Sequence, residues 1–175
     1  QLIFDTAPTG HTVRLLTLPD LMGVWIEGLL AKRKQTRKNY AALLHDGELV
    51  DDPIFDLLQT RQKRFKHVRD LLLNDQVTSF IFVLNPEKLS ITETEAAVSL
   101  LSKYGFSITS LLVNRLLPDE DQGSFFLKRK EQEKTYLEEI ERKFRHKKLI
   151  YIPFFAHDMT ELAHLEKFAS YLRKE

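Results

Sequence analysis

The chain has 175 residues, 43% of them hydrophobic and 29% charged, with a formal net charge of +1. That length buries a full core in one domain, or in a domain with a subdomain, and the near-neutral charge supplies no general electrostatic argument for binding nucleic acid or a membrane. The absence of cysteine excludes disulfides, zinc-thiolate sites and thiol chemistry within these residues.

The chain opens QLIFDTAPTGH, in which Leu2 to Phe4 read as the last residues of a buried strand. Beginning on Gln and at the end of a strand, it reads as part of a longer polypeptide. Residues 20–34, DLMGVWIEGLLAKRK, predict an apolar helix. Asp52-Pro53 predicts the N-cap and first turn of another, along which Ile54, Leu57, Leu58, Phe65, Val68 and Leu72 recur at helical spacing as far as Asn74. Residues 20–75 contain no strand-like run and separate the first two strands by far more than a usual crossover, so they are expected to form a helical insertion outside the sheet.

Three further strands are expected at 77–84 (VTSFIFVL), 110–114 (SLLVN) and 149–152 (LIYI). The first two are near-continuous apolar runs, which suits strands covered on both faces in a parallel sheet. After the first of them, Ser90 and Glu93 have capping-box spacing, Ala97, Val98, Leu101 and Tyr104 recur at helical spacing, and Gly105 supplies a left-handed stop. Helices are also expected at 125–146, with Leu137, Ile140 and Phe144 on one side, and at 160–174, with Leu162, Leu165, Phe168, Ala169 and Leu172 on one stripe. The alternation of strand and helix is the pattern of an α/β fold with a parallel sheet. The expected organisation is an α/β portion at 1–19 and 76–175 with the insertion at 20–75. No apolar stretch approaches the length of a membrane helix, about 20 residues, and no signal-peptide pattern opens the chain. A soluble, cytoplasmic protein is the expectation.

The opening motif is the most specific chemical signal. An aspartate at the carboxyl end of a parallel strand lies where open α/β sheets bind ligands. Asp5 followed by Thr6, Thr9, Gly10 and His11 offers a carboxylate, two hydroxyls and a glycine N–H that lets a phosphate approach closely. Asp5 either holds a magnesium ion through a water or caps the following turn, with Pro8 and Gly10 shaping it; the pattern leaves both open. The basic runs KRKQTRK (32–38) and RQKRFKHVR (61–69) suit an anionic partner or solvated helix faces, and acidic residues around them favour the second. The six histidines show no metal-ligand spacing.

DTAPTGHTVRLLTLP resembles the switch II segment of the arsenical pump-driving ATPases and of their relatives that target tail-anchored membrane proteins, a branch of the deviant-Walker P-loop ATPases. VLNPEKLSITETEAAVSLLSKYGFSITSLLVNRLLP resembles that family's second block, and IYIPFFAHDMTELAHL its adenine-covering loop and helix. The resemblance implies the C-terminal portion of a P-loop NTPase sheet flanked by helices, with ATP and Mg2+ as cofactors. It implies that Asp5 positions a magnesium-bound water and that Thr9, Gly10 and His11 sense the γ-phosphate. It also implies that Asn114 reads adenine, an assignment that suits its bidentate amide, and that Pro153 begins the adenine loop. Arg115 lies on the base or stays a solvated strand-end charge. Phe154 or Phe155 supplies apolar cover, unless both belong to the core.

The implied activity is that of an anion-transporting, arsenical pump-driving ATPase coupling ATP binding and hydrolysis to the helical insertion. The implied assembly is a homodimer or pseudodimer, with a membrane pump subunit or membrane-protein cargo as partner and no nucleic acid. Two alternatives stand beside it: a targeting ATPase for tail-anchored proteins, and a non-catalytic nucleotide- or protein-binding module without a Walker A loop. The chain departs from the family in three ways. It lacks G-x-x-x-x-G-K-[ST], so these residues alone are expected to be inactive. His157-Asp158 stand near the usual glutamate of the adenine loop, whose later glycine is missing. The insertion contains only Met22 where cargo-binding relatives are methionine-rich.

Overall fold

A computed structural model describes residues 2–6, 9–44, 52–119 and 123–173. The chain divides into two compact units, Gln1–Thr78 and Ser79–Glu175.

The first unit is a helical hairpin of α1 (Thr9–Leu44) and α2 (Pro53–Leu73). Asp52 caps α2 as its spacing predicts: one carboxylate oxygen accepts the N–H groups of Ile54 at 3.2 Å and Phe55 at 3.1 Å. Both oxygens also receive Arg33 of α1 at 2.8 Å. The Arg37 guanidinium lies 5.1 Å from the centre of the Phe55 ring, while Asp20, near the other end of α1, pairs with Arg69 near the end of α2. These cross-links run in opposite senses along the two helices, so the hairpin is antiparallel. Val13, Ile26 and Ala41 are buried along α1. Asn74 ends α2, its N–H donating to the Leu71 carbonyl, which also accepts the Thr78 hydroxyl at 2.7 Å.

Two expectations are corrected here. The helix expected at 20–34 is one part of α1, whose 36 residues pass through Pro19 without a break. A proline inside a helix costs about 3 kcal/mol; Pro19 is itself buried, and Val13 and Ile26 are buried on either side of it, so packing across the hairpin offsets that cost. Leu2 to Phe4 are not a strand. Residues 2–6 have no regular structure, and the three apolar side chains are 81–88% exposed. Strand propensity is largely the packing of a side chain against strand neighbours, and the sheet is built from other segments.

The second unit comprises β1 (Phe80–Leu84), α3 (Lys88–Lys103), β2 (Ile108–Leu116), α4 (Gly123–Lys143), β3 (Lys148–Pro153) and α5 (Leu162–Leu172). The strands form a parallel sheet in the order β1-β2-β3, with Phe82 opposite Leu111 and Leu111 opposite Leu149. Leu84, Leu111 and Val113 are buried with Ile91, Ala97, Val98 and Leu101 of α3 and Ile140 of α4. The alternate residues of β1, Ile81 and Val83, are about 60% exposed. Tyr151 of β3 donates to Glu141 of α4 at 3.1 Å, and burial, then the Glu141 carboxylate, push its pKa up to about 12. Lys88 and Lys143 both reach Glu139, at 3.1 and 3.2 Å, and Lys143 also pairs with Glu95, so ion pairs tie α3 to α4. The hydrogen bond from Lys88, then that from Lys143, holds the Glu139 carboxyl below its usual range.

Helix α3 ends as Gly105 predicts, in a Schellman motif. Gly105 has φ 86°, its N–H donates to the Ser102 carbonyl at 3.1 Å, and the Phe106 N–H donates to the Leu101 carbonyl at 3.1 Å. Its start differs from expectation, because the helix begins at Lys88 with Glu87 as N-cap. The Ser90 hydroxyl does not cap; it accepts the Asn85 N–H at 3.1 Å, a donor left free where β1 ends. The architecture is a three-stranded parallel sheet flanked by helices, consistent with part of a P-loop NTPase fold.

Candidate functional site

Asn114 and Arg115 sit at the carboxyl end of β2, beside the end of β3. Val113 lies opposite Tyr151 and Leu116 opposite Pro153, so three steps on β2 match two on β3 and the pair carries a β-bulge. Arg115 takes up the extra residue with φ 59°, in the left-handed region, and its side chain is exposed. For a residue with a Cβ such a backbone costs on the order of 1–3 kcal/mol and persists only where neighbours enforce it. The neighbours on the far side of the bulge are fixed. The Leu116 carbonyl accepts the Phe154 N–H at 2.7 Å. Glu133 of α4 accepts the Leu117 N–H at 2.8 Å, and Lys130, one turn earlier, donates to the Leu117 carbonyl.

Glu133 is 4% exposed, unusual for a carboxylate, and pairs with Lys130 at 3.2 Å. Burial alone would lower the Lys130 ammonium, but hydrogen bonds to Asp119 and Glu133 outweigh it and hold the pKa above the usual lysine value. A buried carboxylate and a part-exposed ammonium therefore fix both polar backbone groups of one residue. The sequence reading did not single out Lys130 or Glu133. Lys-x-x-Glu is commonplace on solvated helices, and only burial distinguishes this instance.

Pro153 ends β3. Phe154 follows it with its ring 55% exposed, whereas the Phe155 ring packs at 6.4 Å from Phe168 and 5.9 Å from Tyr171, both on α5. Asn114, Arg115, Pro153 and Phe154 thus gather at the ends of two adjacent parallel strands, the position at which open α/β sheets bind ligands. Phe155 is engaged with α5.

The other candidate residues belong to the first unit. Asp5 lies in the irregular, exposed segment 2–6, not at a strand end as expected from the apolar run before it. Ala7 and Pro8 lie outside the described residues. Thr9 is the first residue of α1, and Gly10 and His11 follow in its first turn, both exposed. Among the described residues, no atom beyond its chain neighbours and the helix's own backbone lies within 4 Å of where a Cβ on Gly10 would stand, so tertiary packing does not require glycine there. The first turn of a helix points backbone N–H groups toward its N-terminus, and this one carries no acidic side chain, a combination compatible with an anion. One exposed carboxylate fits magnesium only through water and together with phosphate oxygens, which is how that ion is commonly held.

Residues 1–174 match the Anion-transporting ATPase family. The chain belongs to this family. It is 33% identical over 171 residues to a protein of Aquifex aeolicus named as arsenical pump-driving ATPase 2, covering 98% of this chain and 56% of that one. It is also 33% identical over 177 residues to ATPase GET3 of Clavispora lusitaniae, covering 99% and 50%. A GET3 of Neurospora crassa is 33% identical over 185 residues, covering 99% and 53%. The chain spans about half the length of these curated relatives. Among the described residues no helix is long and apolar enough to cross a membrane.

Proposed function

We propose that these residues supply the phosphate-sensing and base-reading portion of an ATP- and magnesium-dependent ATPase whose nucleotide state is relayed to the α1–α2 hairpin. The observation that carries this is that the last three residues of DTAPTGH lie within α1. In a chain of the anion-transporting ATPase family, Thr9, Gly10 and His11 of the motif resembling the γ-phosphate switch open a 36-residue helix. Any rearrangement of Thr9, Gly10 or His11 on loss of the γ-phosphate therefore acts directly on the helix that makes the hairpin, a known route for switching. Asn114 is the base-reading group, with Pro153 and Phe154 as its cover. Bound magnesium would supply charge neutralisation of the phosphates and an activated arrangement of water. Asp5 would orient one of its waters, and first-turn N–H groups of α1 would donate to phosphate oxygens.

In the full-length protein, Asp5→Asn is expected to abolish magnesium-dependent turnover and leave nucleotide binding within about threefold of wild type, since a neutral amide keeps the shape and loses the charge that orders the water. Normal turnover by this variant overturns the role of Asp5. For what the hairpin handles, one observation favours an apolar partner, in a homodimer or pseudodimer, over a metalloid bound by thiols. Leu15, Leu18, Leu21, Val24 and Trp25 of α1 are 40–74% exposed, and the sequence has no cysteine. Crosslinking of a hydrophobic helical peptide to α1 tests this reading; failure to crosslink, with arsenite-stimulated turnover, favours the pump.

A further inference from the structure

The nucleotide reading leaves Glu133 and Lys130 without a role, although Glu133 is the one buried carboxylate among the described residues and Lys130 is its charge partner. Their contacts are not those of a surface ion pair. Glu133 takes the Leu117 N–H and Lys130 the Leu117 carbonyl, so α4 grips the backbone three residues beyond Asn114 and two beyond Arg115. On the other side the strand is held by the register of Val113 with Tyr151. The bulge is stretched between these two fixed points, with Leu116 tied to Phe154. A residue in the left-handed region relaxes if either end is freed, and relaxation at Arg115 turns the neighbouring peptide and with it the direction of Asn114.

We propose that Glu133 and Lys130 are positioning residues for base selection: by clamping both backbone groups of Leu117 they hold the β2 bulge in the one shape that aims Asn114 at a base edge. This rests on Asn114 being the base-reading group. The clamp touches neither base nor phosphate, so its loss should act on the choice between bases more than on nucleotide affinity in general.

The test measures dissociation constants for ATP and GTP on the full-length protein by displacement of a fluorescent nucleotide, for wild type, Glu133→Ala, Glu133→Gln, Lys130→Met and Asn114→Ala. Glu133→Ala is expected to lower the preference for ATP over GTP at least fivefold. Glu133→Gln keeps an oxygen for the Leu117 N–H and is expected to restore the preference to within about twofold of wild type. If Glu133→Ala does not fold, Lys130→Met reads the same ratio from the other half of the clamp and is expected to lower it at least threefold. Equal weakening of both nucleotides, with the ratio unchanged in Glu133→Ala and Lys130→Met, is what a purely structural role gives, and it overturns the proposal. If Asn114→Ala also leaves the ratio unchanged, the base-reading role of Asn114 has failed, and the clamp's role with it. If Asn114→Ala loses the preference while the clamp variants keep it, only the clamp proposal falls.

Discussion

Arg115 and Gly105 share a region of backbone space, φ 59° and φ 86°, for different reasons. Gly105 ends a helix, where the left-handed turn lets two backbone N–H groups reach carbonyls of the last turn. A Cβ there costs about 1–2 kcal/mol, so Gly105→Ala should lower stability by that amount in chemical denaturation. At Arg115 a side chain already bears the strain, and Arg115→Gly should raise stability by about 0.5–1 kcal/mol, the relieved strain less the entropy of a glycine. A loss of stability in Arg115→Gly would show that its side chain makes a contact worth more than the strain. Gly105 was legible in the sequence because glycine after a periodic apolar run has few other meanings. Arg115 was not, because arginine carries no backbone signal and its conformation is imposed by Leu116 and Leu117. The same contrast separates Asn114, picked out by its place in Val-Asn-Arg, from Glu133, which looks like any helical glutamate until its burial is known.

At the scale of elements, punctuation with a local cause was readable and pairing with a distant one was not. Asp52-Pro53 marked the start of α2 because a capping carboxylate acts on N–H groups two and three residues away. The start of the helix expected at residue 20 and the strand expected at Leu2 to Phe4 both failed, since each depends on what the segment packs against. The Asp52 cap also makes a prediction about pH. The hydrogen bond from Arg33, aided by the two backbone N–H groups and opposed by burial, lowers the Asp52 pKa from 3.8. A depressed folded-state pKa contributes stability that is full above the unfolded value and is lost as pH falls through the folded one. Asp52→Asn keeps a capping oxygen and loses the charge. It should therefore unfold at a lower temperature than wild type at pH 7, and the difference should shrink as the pH is taken below 3.8. A difference independent of pH would mean that the ion pair with Arg33 contributes nothing in solution.

For the molecule as a whole, the proposed coupling of the opening motif to the hairpin rests on the length of α1. Its 36 residues extend about 54 Å at 1.5 Å per residue. The first turn carries the residues that resemble a γ-phosphate switch, and the remainder builds the hairpin through Arg33, Arg37 and Asp20. A continuous helix transmits a displacement of its end more directly than a loop does. Pro19, ten residues in, is the one position where a backbone hydrogen bond is missing by chemistry and bending is easiest. If phosphate occupancy orders the first turn, its amides and those just after it should be the first to respond. Amide hydrogen exchange on the full-length protein should then show slower exchange at Thr9 to Val13 with a non-hydrolysable ATP analogue than with ADP. A smaller change should follow beyond Pro19, where exchange depends on hairpin packing. Asp5→Asn should reduce the difference at Thr9 to Val13, because the switch would no longer be tied to magnesium. Identical exchange in the two nucleotide states, in a protein shown to bind both, would remove the switch role from the opening motif and leave Asp5 as the cap of a turn.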